Sequence, residues 1–274
     1  MILHLVEQQI IEQLSGLSLA SIRKEQQDMS ILEEITPSPR KVMTLFYIID
    51  TSESMNGSRI GTVNSAMEEC QDLLKKIAKA NDDAEIKIAV MQFSSGCHWI
   101  TGANSAINLE DWNWEDLQSG GITDFGAALI ELDKKLSRKA FLNSQTGAYA
   151  PVILLFSDGG PTDNWEKGLG QIKENNWFKH VIKIAIDIES GADKSVLEAF
   201  TGNSEAILDA KDQNTLKKMI HKVSVRASEF QSHSKQSADE LTTPEEDSAN
   251  IVQDVISEMK EETSVADGDD WDKW

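Results

Sequence analysis

The feature that most constrains the fold is an alternation of apolar, strand-like segments with amphipathic helical segments, which starts at residue 42. Residues 42–49 form an almost unbroken apolar run, which is typical of a strand buried on both faces of a parallel sheet. Apolar residues then recur at helical spacing at Ile60, Val63, Met67, Cys70, Leu74 and Ile77. Such an alternation predicts βαβ units and therefore an α/β fold, with a mainly parallel sheet and helices on both faces.

The alternation continues to about residue 228. Strands are predicted at 86–93, 98–101, 151–157, 181–187 and 206–208, and helices at 124–138, 165–176, 194–200 and 213–228. Pro37 and Pro39 lie just before the first strand and mark a boundary, because proline ends a helix. We therefore predict one domain over residues 42–228, preceded by residues 1–41, which carry an amphipathic helix at 2–14 and a linker.

Residues 229–274 differ in composition from the predicted domain. They contain 14 acidic residues and 3 lysines, so they carry −11 of the chain's net charge of −20. Only residues 251–259 show a short helical pattern, and we expect most of this acidic tail to be disordered. Its end, residues 267–274, places two tryptophans on an acidic string. The tail is a solubilising terminus, a docking motif for a basic partner, or an autoinhibitory segment that occupies the domain's own site.

The composition also excludes several classes of function. A chain with 26 Lys and Arg against 46 Asp and Glu repels the phosphate backbone, so we expect no nucleic-acid binding. The N-terminus lacks the features of a signal peptide, and no run reaches the ~20 apolar residues of a membrane span. Cys70 and Cys97 lack metal-site spacing, so we expect two reduced thiols. These features together predict a soluble, cytoplasmic protein.

Three polar motifs stand next to predicted strands and helices. The segment 50–54 (DTSES) directly follows the first strand, and the segment 157–160 (SDGG) closes the strand at 151–157. The segment 120–124 (GGITD) precedes a helix. In an open α/β sheet, ligands bind beyond the carboxyl ends of the strands, where the strand order reverses. We therefore expect the three motifs to meet in one crevice.

The three motifs together offer a set of hard oxygen ligands, namely Asp50, Ser52, Ser54, Thr123 and Asp158. The absence of sulfur and imidazole from this set favours Mg²⁺, or else Mn²⁺ or Ca²⁺, over zinc and copper. Only two of the five residues carry a formal negative charge, so the ion keeps a position for another oxygen. A Glu or Asp carboxylate from a partner protein suits that position. The alternative is that each motif is a turn with polar capping residues.

The same residues resemble the metal-ion-dependent adhesion site of von Willebrand factor A (VWA) domains. That site combines Asp-x-Ser-x-Ser after the first buried strand, a later Gly-Gly-x-Thr, and an Asp-Gly at a strand end. Within the VWA family, the closer resemblance is to bacterial tellurium-resistance (TerY-like) VWA proteins, over about residues 42–228. It is carried by IIDTSESMNGSRIGTVNSAM, GGITDFGAALIEL and PVILLFSDGGPTDNWEKGL. The resemblance implies a Rossmann-like sheet with one antiparallel edge strand, and the five residues above at the metal.

The resemblance also implies a function. A TerY-like protein would be a metal-dependent protein–protein interaction module, as scaffold or regulated component, in a bacterial signalling system related to stress, tellurite resistance or defence. Its implied partners are a Ser/Thr protein kinase and a PP2C-type phosphatase. The first alternative is a VWA adaptor for a MoxR-type AAA+ ATPase.

The second alternative is a phosphatase-like hydrolase. Haloacid-dehalogenase-type phosphatases also place a nucleophilic Asp after the first strand, where this chain has Asp50. They need a second Asp two residues later as general acid and base, and Ser52 stands there. We therefore expect no enzymatic activity and assign no catalytic residues.

A few further residues lie near the predicted site. Glu53 stands where the VWA family usually has Gly, and its charge either raises the metal affinity or points to solvent. Asp163 and Asp187 also lie near loop or strand ends, and Asp163 is predicted to cap the helix that follows it. Trp112 and Trp114 either form a contact surface near the metal or cover the edge of the core.

Overall fold

The computed structural model describes residues 40–82, 84–233 and 242–268. For residues 228–233 and 263–268 it describes the backbone alone. The predicted helix at 2–14 and the two C-terminal tryptophans lie outside the described residues. All of the elements below belong to one unit, which begins at Arg40.

Seven strands form one sheet in the order β3-β2-β1-β5-β6-β7, and β4 pairs with β2. They are β1 (Lys41–Asp50), β2 (Ala84–Ser94), β3 (Gly96–Trp99), β4 (Ile107–Asn108), β5 (Val152–Ser157), β6 (Ile182–Ile188) and β7 (Ile207–Ala210). The four pairings that join β2, β1, β5, β6 and β7 are parallel, whereas β3 and β4 run antiparallel to β2 at one edge. The predicted α/β fold class, with its antiparallel edge, is therefore confirmed. Only β4 was not predicted, because two residues carry no readable pattern.

Within the described part of the chain, six α-helices cover the two faces of the sheet. They are α1 (Ser58–Ala80), α2 (Phe125–Lys135), α3 (Trp165–Lys173), α4 (Lys194–Thr201), α5 (Gln213–His233) and α6 (Pro244–Gly268). Apolar side chains of α1, α5 and α6 pack into the core on one face, and those of α2, α3 and α4 pack on the other. Among the described residues, none of these helices combines the length and the apolar composition of a membrane span.

Strand β1 shows why the first apolar run contains only one polar residue, Thr44. Leu45 and Tyr47 point into one core, whereas Phe46 and Ile48 point into the other. All four side chains are buried, because helices cover both faces of the sheet. Alternate residues of a strand face opposite sides, so a two-sided core favours apolar residues at consecutive positions.

The C-terminal helix α6 is the main departure from the sequence analysis, which expected mostly disorder after residue 229. The short pattern predicted at 251–259 is part of a helix that spans Pro244–Gly268. Ile251, Val252 and Val255 are buried in the core that α1 and α5 also line. This apolar stripe is narrow and is surrounded by acidic residues. The composition of the segment therefore predicts disorder although one face of the helix is apolar.

The acidic residues of α6 are balanced by basic residues of neighbouring elements. Glu258 Oε2 lies 3.1 Å from Lys222 Nζ on α5, and Glu262 Oε1 lies 2.6 Å from the same ammonium group. At the start of α6, Glu245 Oε1 lies 3.3 Å from Nζ of the buried Lys183 on β6. Part of the tail's charge therefore belongs to an ion-paired helix interface.

The two cysteines are free and lie on opposite faces of the sheet. Cys70 is a residue of α1 that is buried in the core on one face, and Cys97 packs against the core on the other face. Burial raises the pKa of the Cys70 thiol to about 12. The sheet between them prevents a disulfide, in agreement with the predicted reduced state.

Candidate metal centre

The first and third polar motifs meet where the strand order reverses. Asp50 is the last residue of β1, and Asp158 directly follows β5, which pairs with β1. The chain passes from β1 to β2 on one side and later to β5 on the other, so the two strand ends flank the reversal point. Both aspartates are buried. The strand alternation alone therefore brings two carboxylates to one edge of the sheet, as predicted.

Asp50 is fixed by hydrogen bonds to both carboxylate oxygens. Its Oδ1 accepts from the backbone N–H of Ser52 at 2.9 Å, and its Oδ2 accepts from the Ser157 hydroxyl at 2.8 Å. Burial raises the pKa of Asp50 above its ordinary value, the two hydrogen bonds oppose this rise, and the negative charge of Asp158 adds to it. Ser157 is the first residue of the third motif, but its contact with Asp50 was not predicted.

Two serine hydroxyls connect the first motif to Asp158. The Oγ atoms of Ser52 and Ser54 lie 3.0 Å apart, and Ser54 Oγ donates to Asp158 Oδ1 at 2.8 Å. Together with the Ser52 backbone contact to Asp50, these bonds place four of the five predicted ligands in one hydrogen-bonded cluster, here called the oxygen cluster. Its members are Asp50, Ser52, Ser54 and Asp158.

Thr123 is held beside the oxygen cluster by backbone contacts of its loop. The N–H of Gly120 donates to the carbonyl of Thr51 at 2.8 Å, which ties the second motif to the first. The N–H of Thr123 donates to Thr162 Oγ1 at 3.1 Å, and the N–H of Thr162 donates to the Thr123 carbonyl at 2.9 Å. Thr123 is buried and lines a small cavity together with Ser157. Its contact with a metal stays a prediction.

Asp163 caps a different helix from the one predicted. Its two carboxylate oxygens accept from the N–H groups of Gly126 and Ala127, each at 3.0 Å, and these residues form the first turn of α2. The helix that follows, α3, is capped by Asn164, whose side chain accepts from the N–H of Lys167 at 3.1 Å. The prediction of a cap was right, but the capped helix was wrong, because the 160–164 loop folds back over the start of α2.

Asp187 lies near the end of β6, outside the oxygen cluster. Its Oδ1 accepts from the N–H of Ala192 at 3.0 Å, and its Oδ2 lies 3.9 Å from Lys194 Nζ. Burial raises its pKa above the ordinary value. Its contacts hold the loop between β6 and α4.

Arg59, a basic residue that adjoins the oxygen cluster, was not predicted. Its Nη1 lies 2.5 Å from Asp158 Oδ2 and 2.9 Å from the Ser54 carbonyl oxygen, and its Nε lies 2.8 Å from Glu189 Oε2. One sequence signal was available. A basic residue in the first turn of a helix is unfavourable next to the positive end of the helix dipole, and therefore indicates a nearby acid.

Glu53 lies next to the site with an exposed side chain. Its N–H donates to the carbonyl of Gly121 at 3.0 Å, which adds a second backbone contact between the first and second motifs. Of the two predicted interpretations, the exposure agrees with a carboxylate that points to solvent. Its effect on metal affinity stays a prediction.

The two loop tryptophans cover the core and do not form an exposed contact surface. Trp112 is buried and stacks on Tyr47 with ring centres 6.4 Å apart, and Trp114 packs edge-on against Trp112 at 6.0 Å. The contact-surface interpretation is therefore wrong for Trp112. Among the described residues, the large apolar side chain that is exposed near the metal motifs is Ile122, at 52% exposure.

The donor chemistry of the site fits a hard divalent cation. Within residues 40–82, 84–233 and 242–268, no group of three or more His, Cys, Asp and Glu side chains comes together. A zinc site of the usual kind is therefore not formed by the described residues. Two carboxylates with neighbouring hydroxyl groups are oxygen ligands of the kind that Mg²⁺ and Ca²⁺ prefer.

Comparison with known proteins agrees with this fold. Residues 45–161 match the sequence model of the von Willebrand factor type A domain. Similar solved structures include the pilus adhesin SpaC from Lactobacillus rhamnosus GG, at 12% identity and a TM-score of 0.55, covering 71% of this chain and 31% of that one. A von Willebrand factor type A protein from Catenulispora acidiphila matches at 14% identity and a TM-score of 0.53, covering 69% of this chain and 43% of that one.

A third similar structure is the D319A mutant of the PilB minor pilin from Streptococcus sanguinis, at 14% identity and a TM-score of 0.51. It covers 73% of this chain and 64% of that one. This chain therefore spans between 31% and 64% of the length of the three structures. At these identities the likeness concerns the fold alone. No curated protein sequence matches the chain.

Proposed function

We propose that this chain is a metal-dependent protein-interaction module without enzymatic activity. Its residues 45–161 match the von Willebrand factor type A domain, and its fold is that of these domains. The observation that carries the proposal is the oxygen cluster. Its hydrogen bonds join Asp50, Ser52, Ser54 and Asp158 at the strand-order reversal, where α/β sheets bind their ligands.

A Mg²⁺ ion, or Mn²⁺ or Ca²⁺ in its place, would be held by Asp50, Ser52, Ser54, Thr123 and Asp158. When bound, the ion supplies positive charge and an open position for one further oxygen ligand. The partner protein supplies that ligand as a Glu or Asp carboxylate. A chain with a net charge of −20 otherwise repels an acidic side chain, so the cation is what makes this contact favourable.

Ile122 adds an apolar contact for the partner beside the metal. It is 52% exposed and directly precedes Thr123 in the second motif. Its N–H lies 3.3 Å from Ser95 Oγ, which places its backbone against the end of β2. A partner would therefore present a carboxylate with an apolar side chain next to it.

The absence of enzymatic activity is part of the proposal, and the neighbours of Asp50 support it. A hydrolase that used Asp50 as nucleophile would need a general acid and base two residues later. Ser52 stands there, and its hydroxyl lies beside Ser54. The groups that contact the Asp50 carboxylate, the Ser52 N–H and the Ser157 hydroxyl, hold it in place as a ligand.

The narrower proposal is that this module is the scaffold or regulated component of a bacterial kinase and phosphatase system. It is supported by the TerY-like segment 158–165 (DGGPTDNW), three of whose polar residues contact the metal motifs or the helix that follows the second motif. Asp158 belongs to the oxygen cluster, Thr162 bonds to Thr123, and Asp163 caps α2. Co-purification with a Ser/Thr kinase and a PP2C-type phosphatase encoded nearby would support this role. Co-purification with a MoxR-type ATPase would contradict it.

The experiment that tests the proposed function measures metal binding first and partner binding second. Mn²⁺ titrated into the wild-type chain should bind at one site, and Asp50→Ala should abolish this binding while the circular dichroism spectrum stays unchanged. A partner identified with the Mg²⁺-loaded chain should be released by EDTA, and it should fail to bind Asp50→Ala. Equal partner binding in excess EDTA contradicts the metal mechanism.

A further inference from the structure

Arg59 occupies a position that does not favour the helix to which it belongs. It lies in the first turn of α1, a 23-residue helix whose N-cap is Gly57 and which receives no side-chain cap. Acidic residues stabilise the first turn of a helix, and a basic residue there opposes the helix dipole. The contacts that compensate for this position are those of the Arg59 guanidinium with Asp158, Ser54 and Glu189.

These contacts change the charge of the oxygen cluster. The side chain of Asp158 is fully buried, and its Oδ2 lies 2.5 Å from Arg59 Nη1, so the guanidinium balances its charge. The described contacts of the Asp50 carboxylate are with Ser52 and Ser157, which are neutral. Of the two carboxylates in the predicted ligand set, one is therefore paired with a cation and one is not.

Glu189 holds the guanidinium from its other edge. Its Oε2 lies 2.8 Å from Arg59 Nε, and both side chains are about equally exposed, at 28% and 29%. Because Nε contacts Glu189 while Nη1 contacts Asp158 and the Ser54 carbonyl, the planar guanidinium is fixed at three points. Lysine keeps the positive charge but cannot make the three contacts at once.

We propose that Arg59 is a positioning residue that lowers the affinity of the oxygen cluster for its cation. More of the cation's positive charge then remains to attract the partner's carboxylate. This inference rests on the proposed metal site and identifies Arg59 as the residue that adjusts the affinity of that site for the cation. A positive group that contacts a ligand of a divalent cation would repel that cation. The same group cancels the charge of Asp158, so the ion is less fully neutralised by the protein and binds an external carboxylate more strongly.

The test titrates Mn²⁺ alone into wild type, Arg59→Gln and Arg59→Lys, with Lys217→Gln as the matched control. Lys217 is an α5 residue whose side chain pairs with Glu69, so its replacement removes the same charge at a contact outside the site. We expect Arg59→Gln to bind Mn²⁺ roughly threefold to thirtyfold more tightly than wild type. Arg59→Lys and Lys217→Gln should stay close to wild type, because each retains the charge at the site.

Thermal unfolding gives a readout that does not need the metal. In EDTA, Arg59→Gln should melt below wild type, because it leaves a buried carboxylate without its counter-ion, and Mn²⁺ should raise its melting temperature by more than that of wild type.

The outcomes separate this inference from the proposed function. If wild type binds Mn²⁺ and Arg59→Gln binds it equally or more weakly, Arg59 has only a structural role and the inference is overturned, while the metal site stands. If Arg59→Lys behaves like Arg59→Gln, the account based on charge is overturned. If no variant binds Mn²⁺, both the proposed function and the inference fail.

Discussion

Asn64 on α1 and Leu117 in the loop before the second metal motif exchange two hydrogen bonds. The Asn64 side-chain Nδ2 donates to the Leu117 carbonyl, and the Leu117 N–H donates to Asn64 Oδ1, each at 3.0 Å. Both residues are buried. One side chain thus satisfies both backbone groups of a buried residue in an otherwise largely exposed loop, and it anchors the segment that leads from Trp112 to Thr123.

Replacement of Asn64 should therefore destabilise the fold strongly. We expect Asn64→Ala to lower the free energy of unfolding by about 2–3 kcal/mol, because it leaves a buried N–H and a buried carbonyl without partners. Asn64→Asp should cost at least as much, since it places an acceptor opposite the Leu117 carbonyl. Urea unfolding measures both. Asn113→Ala is the control, as Asn113 is exposed and should change the free energy by about 0.5 kcal/mol or less. Equal effects at the two positions would contradict the role of Asn64.

Asp50→Asn should stabilise the metal-free fold and abolish metal binding. Burial raises the pKa of Asp50, so the folded state binds its proton more tightly than the unfolded state does. Its contribution to stability is then greatest at low pH and is lost as the pH rises through the raised pKa. In EDTA at pH 7, we expect Asp50→Asn to unfold with a free energy about 1 kcal/mol above that of wild type.

The asparagine can keep both contacts of Asp50. Its oxygen accepts from the Ser52 N–H, and the Ser157 hydroxyl can accept from its amide, since a hydroxyl both donates and accepts. Urea unfolding in EDTA between pH 4 and pH 8 measures the effect, with the exposed Asp116→Asn as control. Addition of Mg²⁺ should reverse the order, because only the wild type gains stability from the ion. A wild type that remains the more stable protein in EDTA at pH 7 would refute the prediction.

The contact between α2 and α3 should not tolerate a methyl group. A Cβ on Gly168 would lie 2.5 Å from the carbonyl oxygen of Gly126, and a Cβ on Gly126 would lie 2.8 Å from the carbonyl oxygen of Asn164. These atoms belong to the backbone and cannot move aside. We expect Gly168→Ala and Gly126→Ala each to destabilise the fold by about 2–4 kcal/mol.

Gly170, two residues further along α3, is the matched control for this prediction. A Cβ there meets nothing within 4 Å. Gly170→Ala should therefore stabilise the protein by about 0.5–1 kcal/mol, because alanine has the better helix propensity. The melting temperatures of the three variants, measured by thermal unfolding, test both expectations. If Gly168→Ala and Gly170→Ala shift the melting temperature in the same direction, the helices do not pack as closely as described.

The buried ion pair at the start of α6 should respond differently to the loss of each partner. Burial lowers the pKa of Lys183, and the neighbouring Glu245 opposes this effect. Glu245→Ala leaves a buried ammonium without its partner, so we expect a loss of about 1–2 kcal/mol, a modest value because the Glu245 side chain is 38% exposed. Lys183→Met should be neutral or stabilising, since it fills the same space without a charge.

Hydrogen exchange should show which element loses amide protection in Glu245→Ala. Protection should fall first in α6, which Glu245 and Ser248 attach to β6. Asp254→Ala, on the exposed face of the same helix, should leave the protection of α6 unchanged. Equal loss of protection in both variants would show that the helix is held by its general charge and not by this pair.

The sequence by itself determined the sheet and the place of the site. Seven apolar residues among the eight positions of 42–49 indicate a strand covered on both faces, and Asp50 and Asp158 stand at the ends of two such strands. Parallel strands carry their carboxyl ends to one edge, so the meeting of these two aspartates follows from local pattern and connectivity alone.

Only the tertiary structure decided which groups complete the site and hold its loops. Arg59 and Asp158 are 99 residues apart, and Asn64 and Leu117 are 53 apart, so no local pattern links them. The cap of α2 by Asp163 and the packing of α6 on β6 likewise depend on how distant segments approach one another. Periodicity reports which face of an element is buried, whereas a hydrogen bond or an ion pair depends on the positions of two side chains in space, and the folded chain alone sets those positions.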